Sequence, residues 1–207
     1  VHMYEPRVGA EVKAAAVRAS TEFSDYVRAV INDRREAVSS GVAGEDLISD
    51  LIRERGRGAK LTDDELVASV VLLLNAGHEA SVNTFGNGAH ALMTHPEQLA
   101  RITSGEVPME VALEELLRFD APLQLFERTA TADVDICGQT ISAGQKIACL
   151  MGSANRDADA FANSDTLDVG RDPNPHVGFG MGRHFCLGAP LARLELQISM
   201  SHLLRRF

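Results

Sequence analysis

The sequence predicts a mainly α protein with a small β portion. Three observations support that class. Apolar residues recur at steps of three and four up to Phe119, the spacing of one helix face. Residues 123–149 alternate apolar and polar side chains between glycine-bearing breaks, as short strands do. From Leu187 the helical spacing returns.

The elements follow in order. Val8, Val12, Ala16, Ala19, Phe23, Val27 and Val30 form one apolar stripe, ending near Arg34, Arg35 and Glu36 and broken by Gly41 and Gly44. Residues 45–55 predict a shorter amphipathic helix carrying Leu47, Ile48, Leu51 and Ile52, and Gly56 and Gly58 predict a loop. Thr62 followed three residues later by Glu65 is a capping box, so a helix starts there. It runs through Leu66, Val70, Val71 and Leu74 to about His95, because Pro96 is the first strong stop. Glycines inside a helix cost about 1 kcal/mol each relative to Ala. Gly77, Gly86 and Gly88 therefore predict a bend or a close neighbour. A short helix follows Pro96, and another starts near Pro108, a residue suited to a first helical turn, and stops before Pro122. The strands break at Cys137-Gly138 and Ala143-Gly144. Residues 154–181 are rich in Asn, Asp, Gly and Pro without a period, and irregular segments of that length are usually functional or disordered. The last helix places Leu191, Leu194, Ile198 and Leu203 on one face.

Composition narrows the function classes. The 207 residues are 45 % apolar and 24 % charged, so the chain folds rather than remaining disordered. A chain of this length buries roughly 70 % of its unfolded surface. With 20 Lys+Arg against 29 Asp+Glu the net charge is -9, which argues against a general nucleic-acid grip. The longest apolar stretch, residues 66–74, contains Ser69 and is too short for a bilayer, so no membrane partner is expected. The first residues lack a basic region followed by an apolar core, the mark of a secretory signal. Three widely spaced cysteines do not make a disulfide framework, and a reducing, cytoplasmic location is expected.

Chemistry concentrates between Phe179 and Gly188, where Cys186 sits at a helix start behind a glycine-rich loop. Unpaired N–H groups and partial positive charge at a helix N-terminus hold a thiolate. The glycines let the backbone approach a flat, bulky group and leave N–H groups unscreened. A lone cysteine is more often a small buried hydrophobe, but the flanking pattern decides otherwise. A dinucleotide loop starting at Gly178 fails because its sixth position is Arg183. A metalloprotease motif starting at His78-Glu79 fails because its fifth position is Val82. A zinc site from His176, His184 and Cys186 lacks paired-cysteine spacing.

Phe179, Gly180, Gly182, His184, Cys186 and Gly188 resemble the haem-binding loop of the cytochrome P-450 superfamily in its bacterial form, matching six fixed positions in ten. The resemblance implies haem b with Cys186 as axial thiolate ligand, a ligand that favours O–O cleavage. It also implies that His184 hydrogen-bonds a haem propionate and that Phe179 shields the sulfur. Glu115 and Arg118 resemble the family's Glu-x-x-Arg motif; by spacing alone the pair reads equally as a surface ion pair. Arg128 resembles the strand arginine that pairs with a propionate, and Arg fits a carboxylate bidentately. Residues 154–157 and 171–179 resemble the segment that braces the Glu-x-x-Arg pair, with Arg171 or His176 as the brace. Ala76, Gly77, His78, Glu79, Ala80 and Ser81 resemble the oxygen-binding groove, where the helix opens beside the haem. Glu79 keeps the usual acid, but Ala80 replaces the usual Thr. Ser81 is the next hydroxyl, about 100° further round the helix.

The resemblance thus implies an incomplete cytochrome P-450 fold and a monooxygenase. Such an enzyme inserts one atom of O2 into a small organic substrate. Its electrons come from a ferredoxin or flavodoxin-like partner and ultimately from NAD(P)H. Arg183 and Arg193 are candidates for a local basic patch toward that partner, or are simply solvated. The family's catalytic domain is about twice as long. Residues 1–207 are therefore expected to be one partial domain, lacking the N-terminal half and the C-terminal hairpin and exposing an apolar face. The alternative function is a non-catalytic fragment that binds haem weakly or not at all.

Overall fold

The computed structural model describes residues 9–42, 44–56 and 61–206; Val8, Gly58 and Phe207 lie outside them. The chain forms two compact units, Val1–Ala76 and Gly77–Phe207, whose boundary falls inside one helix.

The first unit contains α1 (Ala10–Ser39), α2 (Leu47–Gly56) and the start of α3 (Asp63–Thr94). Asp46 accepts the Ser49 N–H at 3.0 Å and so caps α2. Gly56 belongs to α2 rather than to the loop expected there. The capping box at α3 forms as expected. The Thr62 N–H donates to Glu65 Oε2 at 2.7 Å, and the Glu65 N–H donates to Thr62 Oγ1 at 3.2 Å. The core of this unit joins Val27, Ile31, Leu66, Val67 and Val70, with Phe23, Ile48 and Leu51 packed against it. Among the six described residues of the stripe, only Val27 is buried, whereas Ile31, off that stripe, is buried and Val12 is 40 % exposed. The second half of α1 meets the core; the first half carries its valines in solvent.

The second unit contains the rest of α3, then α4 (Pro96–Thr103), α5 (Met109–Phe119), four short strands, the single turn α6 (Met151–Ala154) and α7 (Ala189–Arg206). Pro96 occupies the first turn of α4, so the residue that stops one helix starts the next. Strands β1 (Phe126–Thr129) and β4 (Lys146–Cys149) pair antiparallel with Arg128 opposite Ile147. Strands β2 (Val134–Ile136) and β3 (Gln139–Ile141) form a hairpin closed by Cys137 and Gly138. Both turn residues have positive φ, 50° and 77°, the backbone of a two-residue primed turn. The main core cluster of this unit includes Ala91, Leu92, Val107, Ala112, Leu116, Leu167 and Val169. A second cluster joins Leu113, Leu117 and Leu196.

Two expectations are corrected. Helix α7 buries Ala189, Leu196 and Met200, while Leu191, Leu194 and Ile198 are 60 %, 54 % and 51 % exposed. The helix is apolar on more than one side, so periodicity alone did not select the packed face. Helix α3 is, by length and composition only, apolar enough to cross a membrane, with an 18-residue window of mean hydropathy 1.2. Counting uninterrupted apolar residues missed this. Its two ends nevertheless pack into protein cores through Leu66, Val67 and Val70 and through Ala91 and Leu92.

Helix α3 is continuous through its glycines. Gly88 is a close approach: a Cβ there would lie 2.8 Å from Met200 Cε and 3.2 Å from Leu116 Cδ1. A Cβ at Gly86 would meet nothing within 4 Å. Two neighbouring helical glycines therefore respond oppositely to substitution. Gly86→Ala should raise stability by up to about 1 kcal/mol through helix propensity. Gly88→Leu should lower it by about 1–3 kcal/mol through overpacking against Met200 and Leu116. Urea unfolding of the two variants measures both signs.

Candidate cofactor site

Glu115 and Arg118 lie one turn apart on α5, and both side chains are fully buried. Burying two charges is costly unless every donor and acceptor is matched. Here the five N–H groups of Arg118 are all used. Nε and Nη2 grip the Glu115 carboxylate at 2.7 and 2.8 Å. Nη1 donates to the carbonyls of Asn155 and Ser164, each at 2.7 Å, and Nη2 also reaches that of Thr166 at 3.1 Å. Glu115 accepts further bonds from Arg171 Nε at 3.0 Å, Asn174 Nδ2 at 3.1 Å and the Asp168 N–H at 2.9 Å. The surface-pair reading is thereby excluded, and Arg171, not His176, is the brace. Arg156 stacks on the Phe119 ring at 4.0 Å and donates to the Phe119 carbonyl, which fixes the end of α5. The irregular segment is thus tied down by side chains in place of a backbone ladder.

The cysteine loop follows from this segment. Gly180 and Gly182 have φ of +74° and +71°, a backbone that L side chains rarely adopt. Residues Gly182–His184 form one turn of 3-10 helix. The Cys186 N–H donates to the Phe179 carbonyl at 2.9 Å, closing the loop. The Cys186 side chain is left exposed. The Phe179 ring packs 6.2 Å from that of Phe185 and 4.6 Å beneath the Arg193 guanidinium. At Gly188 a Cβ would lie 3.9 Å from Cys186 Sγ. Exposed apolar side chains continue from the thiol: Phe185 is 49 % and Leu187 88 % exposed.

His184 and Arg128 are both exposed. Arg128, on β1, stacks over Phe126 at 4.9 Å, donates to the Glu127 carbonyl and, among the described residues, meets no carboxylate. On α3, Ala76, Gly77 and Glu79 are exposed and Ser81 half-buried. The helix is unbroken at Ala76 and Gly77, so the opening implied by the family is not present as a break. The Ala80 carbonyl accepts the Thr84 hydroxyl at 2.7 Å. Among the described residues no group of three His, Cys, Asp or Glu is placed to hold a metal ion. The site offers a single exposed thiol, free backbone approach and an apolar surround. That donor chemistry fits an iron porphyrin carried on one cysteine.

Sequence reading missed Glu114. Its carboxylate holds Arg193 with both oxygens, at 2.7 and 2.8 Å, and His176 Nε2 at 2.9 Å. Arg193 is therefore committed to an ion pair, which removes it from the basic patch considered for it. Partial burial acts to raise the Glu114 pKa, but hydrogen bonds from Arg193 and His176 outweigh it and lower the value from 4.5 to about 2. The partners stand 62 and 79 residues away, so no local pattern marks them.

The family profile described as Cytochrome P450 matches residues 7–105 and 109–207. A biotin biosynthesis cytochrome P450 of Bacillus subtilis is 45 % identical over 162 residues, covering 78 % of this chain and 41 % of that protein. The polyketide biosynthesis cytochrome P450 PksS of the same organism is 41 % identical, covering 92 % of this chain and 46 % of that one. The crystal structure of P450BioI in complex with acyl carrier protein ligated to hexadec-9Z-enoic acid matches with a TM-score of 0.89 at 38 % identity, over 96 % of this chain and 50 % of that chain. The chain spans about half the length of the curated relatives it matches.

Two outcomes follow from the buried charges. Glu115→Gln leaves Arg118 buried beside a neutral partner and should cost about 3–5 kcal/mol of unfolding free energy, read by urea titration. For Glu114 the folded pKa lies below the unfolded one. Its contribution is therefore complete above about pH 4.5 and is lost as pH falls toward 2. Glu114→Gln should be less stable than the parent by about 2 kcal/mol at pH 7, after allowance for solvent access. The gap should close as pH falls through that window.

Proposed function

The chain belongs to the cytochrome P450 family, and we propose that its cysteine loop serves a haem-thiolate monooxygenase that inserts one atom of O2 into a small organic molecule. The observation that carries this is the six-position loop pattern together with an exposed Cys186 thiol at its end. When bound, the haem supplies oxygen activation. The chain supplies the surroundings. Cys186 holds the iron as a thiolate. Its own N–H is occupied by the Phe179 carbonyl, which fixes the turn of chain presenting the sulfur. Gly180, Gly182 and Gly188 keep side chains away from the approach. Arg128 and His184 orient the propionates. Glu115, Arg118 and Arg171 hold the segment from which the loop springs.

Proton delivery falls to the α3 residues. Ala80 has no hydroxyl, so beside Glu79 protons pass by way of water, the substrate or a locally distorted Ser81, with Ala76 and Gly77 leaving room beside the helix. The proposed electron donor is a ferredoxin or flavodoxin-like protein reduced by NAD(P)H, and the proposed location is the cytoplasm. The relatives named for biotin and polyketide biosynthesis support an organic small-molecule substrate.

A second reading has its own support: these 207 residues by themselves hold haem weakly or not at all. Leu187, next to the cysteine, and Leu191, Leu194 and Ile198 along α7 are more than half exposed and find no apolar cover within the chain. The reduced, carbon-monoxide-bound spectrum after haem titration tests both. A strongly red-shifted Soret band that is lost in Cys186→Ala is the outcome expected of the first reading. Failure to take up haem supports the second. Uptake without the red shift, or a shift retained in Cys186→Ala, overturns Cys186 as the ligand.

A further inference from the structure

We propose that Glu114 is a positioning residue that sets the place of Cys186 by holding both ends of its loop. The inference rests on the reading of Cys186 as the haem ligand for its importance, but on contacts within the chain for its substance.

Going into the loop, Glu114 holds His176. The Gly178 N–H donates to His176 Nδ1 at 3.0 Å, and a backbone N–H only donates. Nδ1 is therefore bare, and the ring proton is assigned to Nε2, which donates to Glu114 Oε2 at 2.9 Å. The His176 side chain is 3 % exposed, so its ring is fixed by packing as well as by these two bonds. A Cβ on Gly178 would lie 3.1 Å from His176 Nδ1 and 3.2 Å from the Leu117 carbonyl, so the backbone passes close to both.

Coming out of the loop, Glu114 holds Arg193 on α7 by a two-oxygen pair. The guanidinium lies over the Phe179 ring, and the Phe179 carbonyl accepts the Cys186 N–H. One carboxylate thus closes a ring of contacts through His176, Gly178, Phe179, Cys186 and Arg193. Pinning both ends of a flexible loop removes most of its conformational freedom. The two neighbouring carboxylates hold different parts of the chain. Glu115 anchors residues 168–174, and Glu114 anchors the two ends of the cysteine loop.

Amide hydrogen exchange on the full 207-residue chain tests this without haem. In Glu114→Gln, exchange over residues 176–188 should rise about tenfold. Residues 84–94 and 156–171 should exchange as in the parent. Glu110→Gln, at the start of the same helix, serves as the surface control and should change nothing. Arg193→Lys keeps the charge but loses the paired oxygens and the stacking. It should loosen the Cys186 amide while sparing that of Gly178, and it remains informative if Glu114→Gln does not fold. An unchanged loop in Glu114→Gln, a rise spread evenly over all segments, or an Arg193→Lys variant indistinguishable from the parent overturns the proposal. Failure of haem uptake in the parent supports the second functional reading above and leaves these exchange results standing.

Discussion

The interaction on which the second unit depends is the buried pair between Glu115 and Arg118. In isolation it is an unfavourable object, two charges removed from water. It is tolerable because it is saturated: the guanidinium has five donors and five acceptors are present. Three of those acceptors are carbonyls of a segment that has neither helix nor sheet to satisfy them. The pair and the irregular segment thus resolve each other's deficits. The arginine obtains partners, and the backbone of Asn155, Ser164 and Thr166 obtains donors. Among the described residues, two buried amide atoms, Asn155 Nδ2 and Asn174 Oδ1, have no hydrogen-bond partner at the margin of this network.

Helix α5 turns out to be an anchor with two faces. Glu114 and Glu115 are consecutive, so their side chains leave the helix about 100° apart. One meets residues of the irregular segment, and the other meets α7 and the approach to the cysteine loop. Eleven residues of helix thereby fix both the support and the reactive turn. This arrangement suits a site whose geometry has to be exact while its own backbone is irregular.

Local chemistry was legible in the sequence and long-range pairing was not. The start of α3 could be read because a capping box involves only residues 62 and 65. The hairpin at Cys137 and Gly138 could be read because a two-residue turn demands positive φ. The cysteine loop could be read because its glycines and its thiol lie within ten positions. The burial of Glu115 and Arg118 could not, since an i, i+3 pair looks the same in solvent as in a core. Nor could the roles of Glu114 or Asn174, whose partners arrive from distant segments. On α7 the pattern misled, because Leu191, Leu194 and Ile198 are as apolar as the residues the helix buries.

That exposed row on α7, with Leu187 and Phe185 before it, also has a thermodynamic signature. The heat capacity of unfolding comes mainly from apolar surface newly wetted, roughly 12–15 cal/mol/K per residue for ordinary domains. Side chains already wet in the folded state add nothing to it. The chain on its own should therefore unfold with a heat-capacity increment below that range. Its stability curve would be flatter, with a shallower maximum and less sensitivity to cooling than a domain of equal length with a covered core.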